Sequence, residues 1–187
     1  MKRLFLFLII AVTAFTLCSC SGGGDTIELS DPFHENPMLS VNNEYLLNAI
    51  DVNALLEEYV GITLKCDGIE YEVTNNGSSL VIAEGETVFE GEEANALIDR
   101  LLPKVFEKDT SLQLETNMLD DGTGEAIIYL FIDDMVMNAF PNEELTENEI
   151  FSVYYELDED GRAVSVTYSK AVDRENFKIL QMVTITY

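Results

Sequence analysis

Hydrophobic and polar residues alternate with a period of two along residues 62–73, which is typical of strands with one buried face. Asp67-Gly68 interrupts the alternation, and this dipeptide favours a two-residue hairpin turn. The register of that turn brings three apolar pairs to one face: Cys66–Ile69, Leu64–Tyr71 and Ile62–Val73. Asn76-Gly77 predicts a second hairpin, whose register adds two pairs to the same face: Val73–Leu80 and Tyr71–Ile82. The two turns together predict a meander with one buried face.

Two other segments place apolar residues three and four positions apart, which is the spacing of an amphipathic helix. Asp51 is the candidate N-cap of the first helix, whose apolar positions are Val52, Leu55, Leu56 and Tyr59. The second helix follows Gly91 and is expected to end or kink at Pro103. Its apolar stripe is Ala94, Leu97, Ile98, Leu101 and Leu102.

The second half of the chain is predicted to be mainly strands. Residues 125–132 are apolar on both faces, which predicts a central strand covered on both sides. Asp160-Gly161 predicts another hairpin, with Glu159 opposite Arg162. Its apolar pairs are Leu157–Val164, Tyr155–Val166 and Val153–Tyr168. The closing strand is expected to carry four apolar residues on one side: Phe177, Ile179, Val183 and Ile185.

These elements predict an α+β fold. We expect a mainly antiparallel β-sheet of about seven to eight strands, with the two amphipathic helices packed on one face.

The first residues have the pattern of a secretory signal peptide. Lys2 and Arg3 precede an apolar run of about 14 residues, from position 4 to position 17. A helix that spans a bilayer usually needs about 20 apolar residues. The run is therefore expected to be an export signal rather than a transmembrane helix.

Leu17-Cys18-Ser19-Cys20 ends this run and resembles the lipobox of bacterial lipoproteins. The resemblance implies cleavage before Cys20 and its modification with acyl chains, including palmitate, while Cys18 leaves with the signal. The expected organisation is a signal peptide over 1–19, a lipidated cysteine and flexible tether over 20–40, and a single globular domain over 41–187. The expected location is the extracytoplasmic face of a bacterial cell membrane.

Charge narrows the classes of partner. The chain has 10 basic and 35 acidic residues, a formal net charge of −25. Nucleic-acid binding requires many Lys and Arg contacts to phosphates, so this class is excluded, and an anionic lipid surface is equally unsuitable as a direct partner. A cationic protein or ligand remains compatible with this charge, although the first role of strong net charge is solubility.

Histidine and cysteine offer little for catalysis. His34 is the only histidine, and it lies in the predicted tether, so Ser/His/Asp, Cys/His and Cys/His-zinc sites are not favoured. Cys66 is expected to be a buried apolar residue rather than a reactive thiol. Carboxylate pairs are abundant, but the sequence does not select two of them for hydrolysis. An enzymatic function is therefore left open but is not favoured.

Two acidic turns are candidate calcium sites, since calcium prefers six to eight oxygen ligands. The candidate ligands are Asp120, Asp121 and Glu125 in one turn and Asp158 and Asp160 in the other. Asp and Gly are also ordinary turn residues, so the same pattern is explained by hairpin loops. No other cofactor is expected.

The function most compatible with these observations is a non-catalytic binding or scaffolding module, held at the membrane by lipid. One alternative is an inhibitor or carrier of a small ligand, which an exposed aromatic patch at Tyr129 and Tyr154 would favour. The second alternative is a hydrolase that uses acidic residues.

Overall fold

The strands form one open antiparallel sheet in a computed structural model, which describes residues 43–110, 112–118, 123–147, 149–171 and 177–187. Nine strands are present in these ranges: β1 Gly61–Cys66, β2 Ile69–Asn75, β3 Leu80–Glu84, β4 Thr87–Glu90, β5 Gln113–Met118, β6 Gly124–Phe131, β7 Ile150–Leu157, β8 Ala163–Ala171 and β9 Phe177–Thr186. Their order in the sheet is β4-β3-β2-β1-β9-β8-β7-β6-β5. Two meanders, β1–β4 and β5–β9, therefore meet where β1 pairs with β9.

The described ranges also contain four short helices: α1 Asn43–Asn48, α2 Val52–Glu58, α3 Glu92–Leu101 and α4 Asp134–Ala139. Side-chain caps fix where two of them begin. Asp51 accepts a hydrogen bond from the Asn53 amide at 2.9 Å at the start of α2. Asp133 accepts one from the Val136 amide at 3.0 Å at the start of α4. No helix within these ranges has the length and apolarity needed to cross a membrane.

The core lies between the helices and one face of the sheet, which we call the inner face. Every helix contributes to it: the buried helical residues include Leu46, Val52, Leu55, Ala94, Leu97, Leu101 and Val136. The largest fully buried side chains of the sheet are Tyr155, Tyr168 and Phe151. Phe140, just after α4, packs with its ring centre 5.6 Å from those of Phe151 and Tyr168.

The predicted class, a mainly antiparallel sheet with some helices, is correct, but two details are wrong. The sheet has nine strands rather than seven to eight, and four helices are described rather than two. β4 has only four residues and one half-buried side chain, so it lacks an alternating pattern of useful length. The signal peptide and tether, at 1–19 and 20–40, lie outside the described residues.

The first two hairpins turn at Asp67-Gly68 and Asn76-Gly77, as predicted, but only the first has the predicted register. The three predicted pairs across Asp67-Gly68 are confirmed. At Asn76-Gly77 the predicted register is wrong by two residues, because Val73 pairs with Ile82. The Asn76 side chain accepts hydrogen bonds from the Ser78 and Ser79 amides, which favours a longer loop than two residues. An even shift keeps the same residues on the buried face.

Two bulges change the remaining registers. Tyr155–Val166 and Val153–Tyr168 are confirmed, but a register shift pairs Leu157 with Ala163 rather than Val164. A second register shift lies between Tyr168 and Ser169 of β8, which face Gln181 and Ile179 of β9. As a result, Ile179 lies on the opposite side of the strand from Val183 and Ile185. The prediction that the apolar residues of β9 share one side is therefore wrong. A bulge inserts one residue and reverses the alternation beyond it.

Candidate functional site

The face of the sheet away from the helices, the outer face, has two unlike halves. On β1 and β2 its residues are polar or charged: Thr63, Lys65, Glu70, Glu72 and Thr74. On β6, β7 and β9 they are mainly aromatic and aliphatic. We call this second set the apolar patch, and it comprises Ile127, Tyr129, Phe131, Ile150, Tyr154, Ile179 and Met182. On β3 and β4 the outer face again carries aliphatic residues, Val81, Ala83 and Val88. Among the described residues, the outer-face aromatic side chains are those of the β6–β9 half.

Strand pairing brings the residues of the apolar patch into neighbouring rows on one face. One row across β6, β7, β8 and β9 is Ile127–Tyr154–Thr167–Met182, and the next is Tyr129–Ser152–Ser169–Ile179. Phe131 faces Ile150 in a third row. Directly opposite Cβ atoms in antiparallel strands lie about 4.5–5.5 Å apart, so neighbours in each row are in contact range. Between the tall side chains of β7 and β9, β8 contributes short hydroxyl residues.

The rim of the apolar patch is exposed to solvent. The exposed fraction is 79% for Phe131, 47% for Ile150, 48% for Met182 and 45% for Ile179. A single exposed hydrophobic residue is ordinary, whereas a contiguous set rimmed by polar residues marks an interaction surface.

The two tyrosines of the patch are half-buried, and Tyr154 is hydrogen-bonded to Glu125. Burial, and after it the Glu115 carboxylate, raises the pKa of Tyr129 to about 12. Burial also raises the pKa of Tyr154, followed by its hydrogen bond to Glu125. Both phenols are therefore protonated at neutral pH, and the Tyr154 hydroxyl donates to the Glu125 carboxylate.

Carboxylates border the patch on the β5–β7 side. Glu115 on β5 faces Ile127, and Glu125 on β6 faces Glu156 on β7. Like charges directly opposite each other on neighbouring strands destabilise a sheet. The ion pairs of the described residues lie elsewhere: Lys65–Glu70, Arg162–Asp158, Arg162–Asp160, Lys170–Glu149 and Lys178–Glu143. Among the described residues, Glu125 and Glu156 thus have no cationic partner, and Glu125 accepts a hydrogen bond from Tyr154.

An apolar groove of about 750 Å³ continues the patch around the end of β6. In the ranges that the structure describes, β5 pairs with β6 only as far as Tyr129, and no described strand pairs with the last residues of β6 on that side. The groove walls include the patch residues Tyr129, Phe131 and Ile150. Its apolar lining is completed by Val105, Phe106, Leu112, Leu130 and Met135, and its acids are Glu107 and Asp133.

A second groove, of about 810 Å³, lies among α1, α2, α3 and the segment after α3. Its lining mixes charges of both signs, including Lys104 and Lys108 beside Asp109. One of its acids, Asp51, is already used as the cap of α2. Because both acids and bases line its walls, this groove does not select a ligand of one charge or polarity.

The predicted calcium ligands are distributed as follows. Asp120 and Asp121 lie outside the described residues, and Glu125 is on the outer face beside Tyr154. The Arg162 Nη2 atom lies 2.7 Å from a carboxylate oxygen of both Asp158 and Asp160. In the described ranges, no three His, Cys, Asp or Glu side chains converge as metal ligands. A calcium site at these residues stays a prediction.

The cysteines and the histidine singled out in the sequence are only partly within the described residues. Cys20 and His34 lie outside the described residues. Cys66 is buried, and burial raises the pKa of its thiol, as expected of a structural cysteine. Glu149 accepts hydrogen bonds from the Thr146 amide and from Lys170, which lowers the pKa of its carboxyl group. That shift is opposite to the one a catalytic acid requires.

Sequence reasoning selected Tyr129 and Tyr154 but missed the rest of the apolar patch. The available signal was the run 125–132, which is apolar on both faces and was interpreted as a strand covered on both sides. The structure covers only its inner face, and β6 is the second strand from an edge.

Neither a family model, nor a curated protein, nor a solved structure matches this chain.

Proposed function

We propose that this protein is a lipid-anchored extracytoplasmic binding module whose docking surface is the apolar patch. The observation that carries the proposal is a set of apolar side chains in neighbouring rows on the β6–β9 half of the outer face, four of which are 45–79% exposed. A docking partner would bury Phe131, Ile150, Ile179 and Met182 together, and it is this group of exposed residues, rather than any one of them, that favours an interaction surface.

Binding is favoured over hydrolysis for the same residues. Glu125 and Glu156 are neighbouring carboxylates, but they lie on an open sheet face rather than in a cleft. Glycoside hydrolysis needs two carboxylates that flank a bound sugar in a site that excludes water. The like-charge pair is better explained as a contact for a cationic group of a partner.

Site-specific photo-crosslinking tests the docking surface. A photoreactive phenylalanine analogue is placed in the full chain at Phe131 or Met182, and as controls at Val60 or Val88. The control side chains are also exposed, by 100% and 56%, but lie outside the patch. We expect discrete adducts in host membranes only from the patch positions. Equal adducts from all four positions, or none, would contradict the proposal.

The anchor is tested separately by fractionation. Cys20→Ala is expected to release the protein from membranes, because several acyl chains are needed for stable anchoring and all would be lost. Cys18→Ala changes the same residue type two positions earlier and is expected to leave the protein membrane-bound. Detergent-dependent retention of the Cys20→Ala protein would contradict lipid anchoring.

A further inference from the structure

We infer that the partner docked on the apolar patch is a basic amphipathic polypeptide segment, with an apolar anchor side chain flanked by Lys or Arg. This inference rests on the proposed function and names the chemistry of the partner. It follows from the extent of the patch, the adjoining groove and the sign of the surrounding charge.

The extent of the patch favours a polypeptide. Its rows cross from β6 to β9, which are three strand spacings apart, or about 14 Å. The exposed side chains at the two ends, Phe131 and Met182, therefore need an occupant longer than one ring or one short chain. The mixture of aromatic and aliphatic residues with the hydroxyls of β8 resembles the core of a protein interface.

The groove at the end of β6 provides a place for the anchor. Buried Val105, Phe106 and Leu130 line its walls, and Phe131 and Ile150 connect it to the patch. Interface energy is concentrated in a few apolar or aromatic side chains that fill such pockets. A partner without an apolar anchor would leave this surface in water.

The charges at the border select a basic partner. Glu125 and Glu156 face each other across β6 and β7, an arrangement that is unfavourable for like charges, and a Lys or Arg between them would offset it. Glu107 lies at the groove, so an anchor seated there would also have an acid beside it, while Asp133, the second acid of the groove, is already the cap of α4. Four of the described cations, Lys65, Arg162, Lys170 and Lys178, are paired with other acids. The others lie in α3 (Arg100) or line the second groove (Lys104 and Lys108).

A second copy of this chain is a poor occupant of the same surface. Each copy carries a formal net charge of −25, so two copies repel each other at long range. A second patch would also bring Glu125 and Glu156 toward carboxylates of the same sign. Charge complementarity therefore assigns the surface to a cationic chain.

The test measures binding of three synthetic peptides of equal length to the full chain in phosphatidylcholine nanodiscs, with empty nanodiscs as the blank. The first peptide combines Lys with Leu and one Phe, the second replaces each Lys by Glu, and the third replaces Leu and Phe by Ser. Physiological ionic strength is used because the screening length is then about 8 Å, which suppresses attraction by the net charge alone. We expect only the first peptide to bind.

Matched variants locate the binding. E125Q/E156Q and, separately, Phe131→Ser are each expected to weaken binding of the first peptide at least about tenfold, which corresponds to about 1.4 kcal/mol. The controls are E86Q/E90Q, with the same change of charge at the far end of the sheet, and Val88→Ser, which removes an exposed apolar side chain from the outer face outside the patch. Both controls are expected to bind like the unchanged protein.

The outcomes separate the two proposals. Equal loss of affinity in both acidic double variants would mean attraction by net charge and would overturn the basic partner. Equal binding of the Lys and Glu peptides, still weakened by Phe131→Ser, would overturn the basic partner but support an apolar docking surface. If the patch forms crosslinks but the first peptide does not bind, the basic amphipathic partner is rejected and the docking surface is retained. Binding that is insensitive to Phe131→Ser, with no position-specific crosslinks, would overturn both.

Discussion

The guanidinium carbon of Arg162 lies 5.4 Å from the centre of the Tyr187 ring, in the geometry of a cation–π contact. The Tyr187 ring centre is in turn 4.7 Å from that of Tyr59, at the end of α2. Arg162 also binds the carboxylates of Asp158 and Asp160. One side chain thus joins the β7–β8 turn, the end of β9 and the helical layer.

Replacing Arg162 by Met is expected to lower the free energy of unfolding by about 1–2 kcal/mol, because it removes two charge-assisted contacts and the ring contact together. Lys65→Met is the matched control, since Lys65 and Glu70 form an isolated pair with both side chains more than half exposed. That change should cost less than about 0.5 kcal/mol. Equal effects in urea unfolding would show that the Arg162 cluster is no stronger than a surface pair.

Two buried tyrosine hydroxyls predict an unusual stability effect. The hydroxyls of Tyr155 and Tyr168 are buried and have no hydrogen-bond partner among the described residues. Tyr155→Phe should therefore leave the stability unchanged or raise it by up to about 1 kcal/mol, because a desolvated polar atom is removed. Tyr187→Phe is the control, since its hydroxyl donates to the Ala163 carbonyl at 2.8 Å, and its loss should destabilise the fold. Thermal melts that rank the two variants in the opposite order would contradict this.

The first hairpin turn depends on backbone conformation. Asp67 and Gly68 have φ of 52° and 83°, the left-handed values that a type I′ turn requires at both positions. Gly68→Ala should cost about 1 kcal/mol from the backbone alone, because nothing lies within 4 Å of the added carbon. Asp67→Asn should be nearly neutral, since Asn tolerates this region. Equal unfolding midpoints for both variants would rule out strain at Gly68.

Glu149 predicts a pH dependence of stability. Its pKa is lower in the folded protein because it accepts hydrogen bonds from Thr146 and Lys170. Its contribution is therefore present above its unfolded-state pKa of about 4.3 and is lost as the pH falls through the folded value. Glu149→Gln should destabilise the protein by about 1 kcal/mol at pH 7, with the difference disappearing in acid. Glu147→Gln changes the charge of an exposed neighbour in the same way and is the control. An equal loss of stability in both variants at pH 7 would contradict a specific role of the Glu149 contacts.

The elements that could be predicted from sequence are those with local causes. The Asp67-Gly68 turn fixes its own register because only a few backbone conformations close a two-residue loop. Asp51 begins α2 through its own side chain, and the stripe of α3 follows from helical spacing. None of these depends on distant residues.

The candidate site could be predicted only in part, because it depends on residues far apart in the chain. Tyr129 and Tyr154 come together through the pairing of β6 with β7, and Met182 joins them through β8 and β9. Ile179 reaches the outer face only because a bulge reverses the alternation in β9. No local pattern encodes that reversal.

The sequence by itself determined the local turns, the helix caps, the strongly acidic character and the expectation of a lipid anchor, because each resides in a few consecutive residues or in composition. Only the tertiary structure decided which face of β6 the helices cover. Ile128 and Ile127 are alike in sequence, yet the first is buried in the core and the second lies on the apolar patch. The difference arises because helices pack on one face of the sheet only, and that choice depends on every element at once.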